Sequence, residues 1–76
     1  MKELVEIMAR SLVDQPAAVS VTEIGGAHSS ILELKVAKED IGKIIGKQGR
    51  TADAMRTIIG AVAAKMHKRS VLEVIG

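Results

Sequence analysis

The sequence predicts a small α+β domain: one three-stranded sheet with three helices packed on one face, in the order α-β-β-α-α-β. Three observations carry that prediction. Apolar residues recur at helical spacing in three segments and alternate with polar ones in others, which separates helices from strands. Breaks built from Pro16, Gly25-Gly26 and Gly46–Gly49 punctuate those segments. The chain has 76 residues, 47% of them apolar and only one proline, so it can fill a single efficient core and no second domain.

Each element follows from its own residues. Leu4, Val5, Met8 and Leu12 recur at helical spacing, predicting an amphipathic helix over residues 2–13. Pro16 ends it, because Gln15 is pushed out of the helical region by the following ring. AVSVTEI alternates Val19 and Val21 with Ser20 and Thr22 and reads as a strand. Gly25-Gly26-Ala27-His28-Ser29 is a hairpin turn. ILELKV then places Leu32, Leu34 and Val36 on one face and Ile31, Glu33 and Lys35 on the other. From Lys38 the period changes: Ile41, Ile44 and Ile45 form the apolar face of a helix of about two turns, closed by Gly46. After Gly49 a longer helix is expected to turn Met55, Ile58, Ile59, Val62 and Met66 inward. SVLEVI is the last strand. No repeat or linker interrupts the series, so residues 1–76 form one domain.

Composition narrows the function classes. There is no cysteine, which excludes disulfides and thiolate metal sites and suits a reducing cytoplasm. The opening MKELVEIMARSLV is amphipathic and charged, unlike a signal peptide, and no segment could span a bilayer. A cytoplasmic protein without membrane attachment is expected. Net charge is +2, but it is unevenly spread. Lys2 and Arg10 against Glu3, Glu6, Asp14, Glu23 and Glu33 leave residues 1–34 at −3. Lys35, Lys38, Lys43, Lys47, Arg50, Arg56, Lys65, Lys68 and Arg69 against Glu39, Asp40 and Asp53 leave residues 35–69 at +6. The basic half points toward a polyanion.

Inside that half lies GKIIGKQGR, residues 42–50. Gly46-Lys47-Gln48-Gly49 is a turn between two helices that opens onto the second helix's N-terminus, where free N–H groups and the helix dipole favour anions. Glycine at both ends lets a ligand's backbone come close. Lys47 and Gln48 project outward, and Arg50 can reach a neighbouring anionic group. A nucleotide-triphosphate loop is excluded: Gly42 and Gly46 are too close together, and Gln48 stands where a hydroxyl must bind Mg²⁺. The G-x-G-x-x-G dinucleotide fingerprint is absent as well.

What remains, I-I-G-x-x-G between helices after a hairpin, resembles the KH domain of RNA-binding proteins in its type II arrangement. The likeness runs from the opening helix through LVDQP, LELKVAKEDIGKIIGKQGR and the final VLEVIG, and is to the small bacterial stand-alone KH proteins of the KhpA (YlqC) family. In KH domains the G-x-x-G loop clamps the backbone of single-stranded nucleotides. The resemblance therefore implies that Gly46, Lys47, Gln48 and Gly49, with Arg50 and Lys43 beside them, bind RNA. It also implies a nonpolar base groove walled by Ile41, Ile44 and Ile45 and by Leu34 and Val36. The chain has no aromatic residue, so bases would be held by aliphatic contacts and edge hydrogen bonds. A role as RNA chaperone or post-transcriptional regulator is implied, with a homodimer through the third helix near Gly60 and a heteromer with a KhpB (Jag)-like RNA-binding protein.

Some features keep two readings. Lys43 and Arg56 either extend the positive rim or are merely solvated. Lys65, Lys68 and Arg69 complement the helix dipole as readily as they attract RNA. Gly60, with Ala61, Ala63 and Ala64, is either a tolerated helix glycine or a self-association surface. His28 and His67 have no partner at metal-ligand spacing. With no nucleophile–base pair, metal cluster or cofactor motif, an enzyme is not expected. The alternative to RNA binding is an adaptor that docks a protein in a KH heteromer, with RNA binding secondary or lost; single-stranded DNA as ligand also stays open.

Overall fold

Leu32 and Leu34 are wholly buried on β2 (Ser29–Lys35), which places that strand at the centre of the sheet. The computed structural model describes residues 1–75. In it β2 pairs antiparallel with β1 (Ser20–Gly25) and parallel with β3 (Arg69–Ile75), giving the order β1-β2-β3. Alternation directs Val21, Leu32, Leu34 and Leu72 toward the helices. The opposite face is open: Ile24, Ile31 and Val71 lie in register across all three strands there, and all three are exposed. The hairpin closes tightly at Gly25, whose φ of +141° only glycine adopts readily. A Cβ there would run into the Ser29 carbonyl oxygen and the Ser30 Cα.

Three helices cover the other face. α1 (Lys2–Leu12) buries Val5 and Ala9, while Leu12 at its end is exposed. Val13 turns extended, and Pro16 opens a 3₁₀ turn, Pro16–Ala18, that delays β1 until Ser20. A second 3₁₀ turn, Lys38–Asp40, precedes α2 (Ile41–Ile45), so the expected two-turn helix is half 3₁₀ and half α. α3 (Arg50–Lys65) packs against β3, α2 and α1. The element order is the one the sequence predicts, with a mixed sheet.

The inward face of α3 differs from the expectation. Ala52, Met55, Ile59 and Ala63 are buried, whereas Ile58 and Met66 are 46% and 48% exposed. Two small residues let the helix lie close to the sheet, and that contact sets the rotation of the helix. Ile58 is one residue from Ile59 and hence about 100° round the axis. Hydrophobicity alone favoured the larger side chains; packing favoured the alanines.

This phase is testable by denaturation. Ile59→Ala should cost about 3 kcal/mol in urea unfolding, as core truncations do. Ile58→Ala should cost well under about 1 kcal/mol in dilute protein. Equal costs would contradict the helix orientation.

Candidate nucleic-acid interface

Gly46 is where the backbone leaves α2, donating its N–H to the Gly42 carbonyl at 2.9 Å. Its φ is +77°. A Cβ at this position would collide with the Thr51 side chain and lie 2.9 Å from the Thr51 nitrogen. Glycine is therefore required twice over, by dihedral and by contact. Gln48 (φ +58°) and Gly49 (φ +75°) are also left-handed, so three of the four loop residues turn the chain the uncommon way. For Gly49 the dihedral alone accounts for glycine, since a Cβ there would meet nothing within 4 Å.

This winding leaves backbone donors outside. Gly49 N–H bonds the Gly46 carbonyl at 3.2 Å, and Arg50 N–H bonds the Lys47 carbonyl. Among the described residues, the N–H groups of Lys47 and Gln48 take part in no backbone hydrogen bond. α3 starts at Arg50 with no side-chain cap, so its N-terminal N–H groups open at the same spot, with Asp53 the acidic residue of its first turn. Lys47, Gln48 and Arg50 are exposed, and no carboxylate among the described residues pairs with either cation. The arrangement can bind anionic oxygens through N–H donors and two unpaired cations together.

Around the loop the expected residues divide. Ile45 is 41% exposed, Ile41 is half-buried against the core, and Ile44 is fully buried. Lys43 reaches the Asp14 carboxylate at 3.4 Å, which draws it toward the α1–β1 connection. Leu34, Val36 and Ile44, expected to help wall a base groove, are all buried. All three belong to the core cluster, with Leu34 and Ile44 fully buried and Val36 nearly so. β2 is flanked on both sides and has no free edge.

The strand that does border the site is β3, which contacts both α2 and α3. Arg69 directs its N–H to the His28 carbonyl at 2.8 Å, on the β2 side. By alternation Ser70, Leu72 and Val74 turn their backbone groups to the free edge. Arg56 reaches across from α3: its Nε donates to the Leu72 carbonyl at 3.4 Å and a terminal nitrogen to Asp53 at 3.3 Å. The sequence shows Arg56 three residues after Asp53, a helical pair, but nothing in it signals the Leu72 contact. Lys65, Lys68 and Arg69 are not brought to the loop. They lie at the other end of α3, about 24 Å along a helix of 16 residues. Gly60 is exposed, with open space where a Cβ would stand.

Comparison with known proteins bears on this geometry. The family model described as the KH domain of KhpA and KhpB matches residues 2–74. The chain belongs to that family. The KhpA relatives match almost end to end. The chain is 60% identical over 75 residues to "RNA-binding protein KhpA" of Clostridium perfringens, covering 99% of this chain and 100% of that one. It is 49% identical to the protein of that name from Borreliella burgdorferi, covering 96% of this chain and 89% of that one. With the Aquifex aeolicus KhpA it shares 48% identity, covering 99% and 95%. No solved structure matches the chain. The observed α-β-β-α-α-β order and three-stranded sheet are those of a KH-like fold. No helix among the described residues is long and apolar enough to cross a membrane.

The two glycines differ in a measurable way. Gly49→Ala should lower stability by about 1 kcal/mol, the cost of a left-handed alanine. Gly46→Ala adds the Thr51 collision and should lower it further, by about 2 kcal/mol or more. Thermal unfolding followed by circular dichroism ranks them; the reverse order would contradict the loop geometry.

Proposed function

We propose that the chain binds single-stranded RNA by holding its phosphate backbone on residues 46–49, and that it acts as an RNA chaperone or post-transcriptional regulator. One observation carries the reading: a left-handed glycine loop presents the free N–H groups of Lys47 and Gln48 between two unpaired cations. Phosphates strung along a chain satisfy those donors and charges together, and the relatives' name, RNA-binding protein KhpA, supports the choice of polyanion. Bases would then lie along Ile45, Ile41 and the free edge of β3, held by aliphatic contact and edge hydrogen bonds. Lys43 contributes at the rim when it leaves Asp14.

A protein-docking reading has support of its own. Ile58 is exposed on α3, in a helix that also carries exposed Ala54, Gly60, Ala61 and Ala64. That surface suits a homodimer through α3, and the family's inclusion of KhpB suits a heteromer with a KhpB-like protein. Two linked sites would gain avidity that a four-nucleotide site lacks.

Replacing Lys47 and Gln48 together by Asp should abolish binding of labelled single-stranded RNA in an anisotropy titration while the circular dichroism spectrum stays native. Retained binding would place the contact elsewhere, and absent binding in both proteins would leave docking as the main role. Rising salt should weaken wild-type binding, since neutralised phosphates release counterions. Gly60→Phe should halve the molar mass in light scattering if α3 pairs two copies; an unchanged dimer mass would exclude that face.

A further inference from the structure

Asp40 is the one charged side chain buried among the described residues, 1% exposed, and the clamp itself makes no use of it. It stands at the N-terminal boundary of α2 yet makes no capping bond to its own helix. Its two oxygens instead accept the backbone N–H groups of Asp14 at 3.2 Å and Gln15 at 3.0 Å, across 26 and 25 residues of sequence. Those N–H groups follow the end of α1, where the extended Val13 carries them away from the helix's last carbonyls. Two outer contacts repeat the link: the Gln15 side chain donates to Glu39 at 3.0 Å, and Lys43 pairs with Asp14. The LVDQP segment is thereby strapped to both sides of Asp40.

We propose that Asp40 is a positioning residue for the loop at 46–49, holding α2 in place through the α1–β1 connection; this rests on the RNA-binding reading of that loop. α2 has five residues, too few to persist on internal hydrogen bonds. Its C-terminal residue leads directly into Gly46. Ile44 anchors its middle in the core, but one apolar anchor leaves the helix free to tilt. Charge-assisted bonds from a buried carboxylate, which resist displacement by water, remove that freedom at the N-terminal end. The strap also explains why Lys43 leans away from the loop.

The test joins amide exchange with RNA affinity. Asp40→Asn keeps the shape but sets an amide N–H₂ against one backbone N–H. Exchange at the Gly46 and Gly49 amides, both hydrogen-bonded in the native loop, should quicken about fivefold, and the RNA Kd should rise about fivefold at temperatures where the chain stays folded. Val21→Ala, in β1 away from the strap, serves as the stability control. It should lower the melting temperature while leaving Kd and those two amides unchanged, because locally opening amides do not report global unfolding. Wild-type Kd and exchange in folded Asp40→Asn overturns the proposal, as does equal weakening by Val21→Ala. If Asp40→Asn does not fold, Asp14→Pro, which removes the N–H donated to Asp40 beside an already extended Val13, should still quicken exchange at Gly46; unchanged exchange there overturns it. Wild-type RNA binding by the Lys47→Asp/Gln48→Asp protein would overturn the loop reading and this proposal together, whereas lost binding there with an indifferent Asp40→Asn overturns the proposal alone.

Discussion

A five-residue helix cannot hold itself, and everything at the candidate site hangs from one. α2 keeps its position only because the rest of the fold grips it at three points. Ile44 is sunk into the core cluster that also holds Leu34 and Ile59. Gly46 lets the chain turn against Thr51 where any side chain would be refused. Asp40 ties the N-terminal end to the connection after α1. Core packing, backbone geometry and buried polar bonding each supply one constraint, and the loop that follows inherits its shape from all three.

That division explains why binding can be built from so little. The loop has no aromatic residue to stack on and no buried cavity to close over a ligand. Its assets are a left-handed backbone, two free N–H groups and two cations without partners. Preorganisation matters more than the number of contacts in such a site, since each group that is ordered beforehand spares the complex an entropic cost. The rigid anchoring of α2 and the uncapped start of α3 supply that order. The open sheet face and exposed Ile58 lie outside this arrangement, free to serve contacts with other chains.

Much of the fold was legible because periodicity and breakers agree in nearly every segment. Leu32, Leu34 and Val36 announced the central strand's inner face, and Gly46 and Gly49 announced the loop. Three things were hidden. The sequence does not state strand order, so nothing in it sets β2 between β1 and β3 with no free edge. It does not state helix rotation, so Ile58 looked buried when Ala52 and Ala63 set the contact. And it gives no sign that Asp40, an ordinary acid beside Glu39, would reach 26 residues back along the chain to Asp14. Long-range partnerships of single polar groups leave no periodic trace.

The central claim is that the loop at 46–49 holds a nucleic-acid backbone. Titrating a short single-stranded RNA into ¹⁵N-labelled protein and following the amide spectrum tests it most directly. The account predicts that the largest shifts fall on Lys47, Gln48, Gly49 and Arg50, with Ile45 next. Shifts confined to Lys65–Arg69 at the far end of α3, with the loop amides unmoved, would contradict it.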